Sequence, residues 1–321
     1  MSKFIVTGGA GFIGSNVVAA LNERGEDDVL VVDELATDEK WKNLRGLHFT
    51  DYWEKDDFRF HLRNDSLGEV DAVFHLGACS STTEKNASFL VDNNYRFTRE
   101  LCEWCLNHDV RLIYASSGAT YGDGTLGYSD ADDSTRALKP LNMYGYSKQL
   151  FDLWALRQNL FEKIVGLKYF NVYGAREDHK GDMRSVVNKA YHQILENGEV
   201  KLFKSYKPEY KDGEQVRDFL YIKDAVAVTL FFWENPDVSG LFNCGTGETR
   251  TWNDLAKAVF AAMGRPPKIT YIDMPDSLKG KYQYHTQADV TRLRKAGYDE
   301  PFTSLEDGVA DYVKNWLAKQ G

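Results

Sequence analysis

Cysteine is scarce in this chain: four in 321 residues, at positions 79, 102, 105 and 244. That is too few for a disulfide framework. Two of them form a C-x-x-C in "RELCEWCLNH", a segment that reads as the middle of a helix from about Ala87 to Asn107. A redox pair is favoured at a helix start, where the thiolate is stabilised, so both are expected to be structural. Long apolar runs are missing as well; none approaches the roughly 20 residues that span a bilayer. The opening "MSKFIVTGG" turns glycine-rich too soon for a secretory signal. No long basic run offsets the net charge of -9, which argues against nucleic acid as a partner. The seven histidines show no metal-ligand spacing, so no metal site is expected. These exclusions leave a soluble chain, expected in the cytoplasm, whose 43% hydrophobic content suffices for one large or two modest cores.

The first half alternates short apolar runs with helical patterns. "KFIVTGG", "DVLVVDE", "VDAVFHLGA", "VRLIYASS" and "KIVGLKYFNV" are rich in Val, Ile, Leu, Phe and Tyr, and amphipathic stretches such as "GSNVVAALNERG" and "SKQLFDLWALRQNL" lie between them. Continuous apolar strands separated by helices indicate an α/β fold, a doubly wound parallel Rossmann sheet covered on both faces. After Tyr173 the rhythm breaks into two long polar connections, "GAREDHKGDMRS" and "SYKPEYKDGEQVRD"; such loops are more often functional than idle. The expected division is a dinucleotide-binding domain over 1–170, with "DFLYIKDAVAVTLFFWEN" and "GLFNCGTGE" returning to its sheet near 216–247. A smaller α/β substrate-binding lobe takes 171–215 and 248–321. Ligands in such folds lie beyond the carboxyl ends of the strands.

"TGGAGFIGS" holds Gly9-x-Gly11-x-x-Gly14 between an expected strand and an expected helix. The glycines permit a tight turn and close backbone approach to a pyrophosphate, and the helix N-terminus faces its charge. Asp33 closes the second strand about 20 residues later, where a carboxylate can accept from a ribose hydroxyl. A carboxylate there repels a 2′-phosphate and favours NAD. Lys40 and Lys55, downstream, could neutralise that phosphate and favour NADP, and the residues alone leave the two cofactors level.

"YASSGATYG" follows the fourth strand, and "MYGYSKQ" supplies Tyr144 and Lys148 at helical spacing i, i+4, on one face. A nearby ammonium lowers a tyrosine's pKa toward working pH, so the phenol can exchange a proton with a substrate hydroxyl. A serine at the strand end can hold the same oxygen.

With these motifs the chain resembles the extended short-chain dehydrogenase/reductase superfamily, whose members act on nucleotide-linked sugars. "GACSSTTE", "DNNY", "PLNMYGYSK", "KYFNVYGAREDHKGDM", "RDFLYIKD" and "LKGKYQYHTQAD" are similar to its ADP-L-glycero-D-manno-heptose 6-epimerase branch over nearly the whole length. The resemblance implies Ser117, Tyr144 and Lys148 as the hydride-transfer triad, with Ser117 rather than Ser116 matching the family serine, and Lys180 as a second acid/base. Implied cofactor contacts are Gly8, Gly11, Phe12, Ile13, Gly14, Asp33, Glu34, Lys40, Lys55, the loop Leu76, Gly77, Ala78, Cys79 and Ser80, then Asn93 and Val172, besides Tyr144, Lys148 and Lys180. Implied substrate contacts are Ser117, Asn171, Asp182, Lys189, Phe203, Arg217 and Tyr282. Arg217 suits a diphosphate, since its fork pairs phosphate oxygens bidentately; alternatively it pairs Asp218 or Asp224.

The resemblance also implies NADP as cofactor, with NAD the alternative, and a homo-oligomer. It implies C6 inversion of an ADP-linked heptose for lipopolysaccharide core synthesis. The other readings are a 4-epimerase or a dehydratase of the same superfamily, or a nonenzymatic NADPH-sensing regulator. The acid–acid pair usual in dehydratases is missing from "SSGATYG", and a regulator would tend to lose Tyr144 or Lys148. Four positions depart from the branch pattern: Glu34 stands for Asn, and Leu76, Asp182 and Lys189 stand for Glu, Ser and His. The segment "FKSYKPEYKDGEQVRDF" is also longer than usual.

Overall fold

The structure is a computed structural model that describes residues 3–276 and 282–319; the start of the "LKGKYQYHTQAD" block, 278–281, lies outside the described residues. Its strands in chain order are β1 (Phe4–Thr7), β2 (Val29–Asp33), β3 (Asp51–Glu54), β4 (Ala72–His75), β5 (Arg111–Ser117), β6 (Val165–Tyr169) and β7 (Asn171–Tyr173). The later ones are β8 (Val200–Phe203), β9 (Val216–Arg217), β10 (Phe219–Tyr221), β11 (Gly240–Cys244), β12 (Arg250–Thr251) and β13 (Ile269–Ile272). Seven of them form a sheet in the order β11-β6-β5-β4-β1-β2-β3, and every pairing in it is parallel.

Apart from the edge strand β3, whose Asp51 and Glu54 are exposed, the sheet is buried on both faces because its strands are apolar at odd and even positions alike. Phe4, Val6, Val29 and Val31 pack into one cluster with α1 (Phe12–Glu23) and the helix Ile222–Glu234. Ile5, Leu30, Val32 and Val73 pack into the other, with the helices Phe97–Asn107 and Met143–Arg157. Each fully buried Val or Phe contributes roughly 1.5–3 kcal/mol. That sum, rather than strand propensity, holds the interior of the sheet together.

Two expectations change. Phe219–Tyr221 does not return to the main sheet; it pairs in parallel with β7, while Gly240–Cys244 alone returns, against β6. Strand β10 is only three residues long and runs straight into the Ile222–Glu234 helix, which leaves no length to reach the sheet edge. The helix expected over 87–107 is present, but Val91–Arg96 forms a π turn in its middle. The π turn brings Asn93 and Asn94 to buried positions. Cys102 and Cys105 are buried and unbonded in the same helix, and burial raises both thiol pKa values, that of Cys102 to about 12.

The remaining strands form three two-stranded pairs: β7 with β10, β9 with β12, and β8 with β13. Near them the helix Trp252–Ala262 packs against both Val186–Asn197 and Leu305–Asn315. Among the described residues no helix is long and apolar enough to cross a membrane, and no cluster of His, Cys, Asp or Glu is placed to hold a metal.

Candidate active site

A cleft of about 720 Å³ opens over the carboxyl ends of β1, β4, β5 and β6. Its floor is the glycine-rich turn. Gly8 has φ +68°, and a Cβ there would lie 2.6 Å from the amide nitrogen of Gly77; only glycine lets the two loops touch. Helix α1 starts at Gly11 with no side-chain cap and no acid in its first turn. Its first amides therefore stay open to an anion, with the helix dipole behind them. Asp33 at the end of β2 accepts from the amide of Ala10 at 2.9 Å and from Lys40 Nζ at 2.8 Å. A smaller compartment of about 250 Å³ adjoins the cleft, sharing Gly8, Asp33 and Lys40 and adding Glu34, Lys55 and Asn93. There Lys55 donates to Glu34 at 2.7 Å and to Asn93 Oδ1 at 3.2 Å. A turn that admits no Cβ, a bare helix start and an acid at the second strand's end fit a dinucleotide.

Three chemical groups line the cleft wall. Asn142 caps the helix Met143–Arg157 by accepting from the amide of Gly145 at 2.8 Å, which places Tyr144 in the first turn. Tyr144 hydrogen-bonds Ser117, and burial outweighs that bond, so the phenol's pKa is raised. Lys148 Nζ donates to Ala115 O at 2.8 Å, and burial lowers its pKa to about 8. The expected depression of Tyr144 by Lys148 is therefore absent. Both groups are desolvated by burial, which shifts each toward its neutral form. Ser116, next to Ser117, is occupied instead by Asp152, donating to its Oδ2 at 2.7 Å.

Lys180 comes from another element, the loop after β7. Its Nζ lies 5.3 Å from the centroid of the Phe12 ring, and burial lowers its pKa against the opposing pull of Glu177. Glu177 is fully buried and closes the loop by accepting from the Ser185 amide and hydroxyl, both at 2.6 Å. Tyr144 and Lys180 thus line one cavity from separate elements, and Ser117 and Asn171 line it with them.

A model of the NAD dependent epimerase/dehydratase family matches residues 4–245. The chain belongs to that family. It is 57% identical over 316 residues to the ADP-L-glycero-D-manno-heptose-6-epimerase of Nitratidesulfovibrio vulgaris, covering 98% of each chain. Among solved structures it is similar to Helicobacter pylori ADP-L-glycero-D-manno-heptose-6-epimerase, with a TM-score of 0.83 and 31% identity over 97% of this chain and 95% of that one. A UDP-glucose 4-epimerase of Thermus thermophilus, solved as a complex with NAD, superposes with a TM-score of 0.76 and 28% identity, covering 97% of both chains.

Within this epimerase family frame the remaining expected residues divide. Leu76, Gly77, Ala78, Cys79, Ser80, Ile13, Gly14 and Val172 line the cleft. Asp182, Lys189, Phe203, Arg217 and Tyr282 do not line it. Lys189 Nζ donates to Asp182 O at 2.6 Å, so these two hold each other at the rim. Arg217 is buried, its guanidinium 5.4 Å from the Trp252 ring and 5.1 Å from the Tyr282 ring. Neither acid offered as its alternative partner takes it. Asp218 accepts from Thr246, Gly247 and Ala288, and Asp224 from Thr303. Among the described residues Arg217 has no carboxylate, and burial lowers its pKa.

Sequence reasoning passed over Asn94, which pins the backbone of Cys79 by accepting from its N–H and donating to its C=O, each at 2.9 Å. It also passed over His179, Trp252 and Gln283 in the cleft lining. The "DNNY" block was a signal for Asn94; nothing local marks Trp252 or Gln283.

Proposed function

We propose that this protein inverts C6 of the heptose in an ADP-linked glycero-manno-heptose, D-glycero to L-glycero, through a transient 6-ketone, with NADP(H) held through turnover. The observation that carries this reading is the pair of proton carriers, Tyr144 and Lys180, facing one cleft from separate elements. The names of relatives as similar as 57% support the substrate. When bound, the nicotinamide supplies the hydride acceptor and donor. Tyr144 then takes or gives the proton of the C6 oxygen, with Ser117 sharing that oxygen and Lys148 holding the phenol's surroundings. Inverting one carbon moves its oxygen, so the other epimer presents its hydroxyl away from Tyr144, and Lys180 serves it there. A lysine whose ammonium is desolvated holds its proton less firmly, as a base requires.

Arg217 is the diphosphate partner in this reading, since a buried guanidinium without a carboxylate suits an anion from outside. Lys40 and Lys55 would meet a 2′-phosphate in the smaller compartment they line and so favour NADP, with Asp33 and Glu34 opposing. The protein would work in the cytoplasm as a homo-oligomer, supplying a heptose precursor for lipopolysaccharide core, as the resemblance implies. Incubation of purified protein with ADP-D-glycero-D-manno-heptose, followed by NMR of the C6 proton, tests the reading. Conversion to the L-glycero epimer without added cofactor is expected. Inversion at C4 instead, or none, overturns it.

A further inference from the structure

Asn43 is buried, yet it belongs neither to the glycine fingerprint nor to the acid–base set. Its Nδ2 donates to Ala10 O at 3.0 Å and to Arg176 O at 3.1 Å, and lies 3.1 Å from His179 Nδ1. Its own carbonyl accepts from the Arg176 guanidinium. One residue therefore touches the glycine-rich turn, the 39–44 turn that carries Lys40, and the loop that carries Lys180. Asn16 of α1 adds a parallel tie, donating to Ala175 O at 3.0 Å.

The loop needs this support. Arg176 sits at φ +73°, a left-handed conformation that disfavours a non-glycine residue by about 1–2 kcal/mol, and such a residue persists only where its surroundings hold it. The amide of Asn43 and the Trp316 ring, 5.5 Å from the Arg176 guanidinium, are what surround it. At the far end, Glu177 fastens the loop to Ser185. Lys180 lies between these anchors, over Phe12 of α1.

We propose that Asn43 is a positioning residue that locks the Lys180 loop to the glycine-rich turn, so that the segment gripping the cofactor's adenosine end also sets where the second proton carrier stands. The proposal rests on the two-carrier reading above. Tyr144 is held independently, by its own helix and the Asn142 cap. With cofactor saturating, so that its binding does not enter, loss of Asn43 should therefore fall on one half-reaction.

Asn43→Asp keeps the shape but turns a carboxylate toward two carbonyl oxygens. With each pure epimer presented separately in a single turnover, cofactor reduction is read by nicotinamide absorbance. The half-reaction that Lys180→Met abolishes should slow by about 10²-fold, the size of a 1 Å misplacement. The other should change by less than about threefold, as for an uncoupled site. In cofactor-free protein, amide exchange across 174–185 should quicken by about tenfold, the equivalent of about 1.4 kcal/mol. Equal slowing of both half-reactions, or unchanged exchange, overturns the lock. His179→Leu removes one of the three Asn43 contacts and should reproduce the asymmetry at smaller size. If Asn43→Asp fails to fold, a symmetric or absent effect in His179→Leu overturns the proposal in its place. If Lys180→Met itself slows neither epimer, the two-carrier reading fails and the lock falls with it; an asymmetric Lys180→Met beside a symmetric Asn43→Asp sinks the lock alone.

Discussion

Replacing Lys40 and Lys55 together with alanine separates NADP from NAD. In the structure both lysines line the smaller compartment beside the cleft while each neutralises an acid of the β2 end: Lys40 with Asp33 at 2.8 Å, Lys55 with Glu34 at 2.7 Å. A hydrogen bond to a charged group contributes about 1.5–3 kcal/mol, so two lysines on one 2′-phosphate could contribute about 3–6 kcal/mol. Each ammonium is already half-committed to its carboxylate, which argues for the lower half of that range. The expected loss of NADP affinity is therefore about 10²–10³-fold. NAD should change by less than about threefold, because its 2′-hydroxyl needs an acceptor rather than a cation. Removing Lys40 also frees Asp33 to be that acceptor. Titration of cofactor-stripped protein with each dinucleotide, read by protein fluorescence at fixed ionic strength, gives both constants. Equal weakening of NADP and NAD would refute the 2′-phosphate assignment, and so would stronger loss of NAD.

Three further outcomes are expected. Tyr144→Phe should lower turnover by roughly 10²–10⁴ while bound cofactor, measured on the purified variant, stays at the wild-type level; near-normal epimerisation would place the tyrosine outside the chemistry. Lys148 loses its proton near pH 8 in the folded, cofactor-free protein but near 10.5 in the unfolded chain. Between those values the unfolded chain binds more protons, so this group's contribution to stability is least favourable below about pH 8 and improves as pH rises. Lys148→Met should accordingly raise the melting temperature of cofactor-free protein below pH 8, by an amount that shrinks toward pH 10.5; a pH-independent difference would contradict the buried ammonium. Arg217→Leu should raise the KM for nucleotide sugar by about 10–150-fold, the worth of one charged hydrogen bond, with kcat within about threefold. Because no carboxylate is left unpaired, its melting temperature should not fall; an unchanged KM with a lowered melting temperature would make Arg217 structural.

Period and spacing by themselves determined the parallel sheet, the glycine turn, Asp33 at the end of β2, and Tyr144 above Lys148 on one helical face. These follow from local rules. A strand buried on both sides must be apolar at every position, a turn pressed against another loop must lack a Cβ, and residues four apart on a helix share a side. The chain's order also told the Lys180 loop apart from a plain linker by its length and polarity. Which partner each charge takes was decided by the fold. Lys148 was expected to lower the tyrosine's pKa, yet it turns to Ala115 O and is itself lowered. Arg217 was offered two neighbouring acids and takes neither, because Asp218 and Asp224 are consumed by amides and hydroxyls of remote loops. The helix over 87–107 was legible, but not the π turn that aims Asn94 at Cys79. Asn43 and His179 meet across 136 positions of chain. Burial and desolvation act on such distant pairs only after the chain has folded, and no local pattern encodes the distance between residues that meet for the first time in the folded protein.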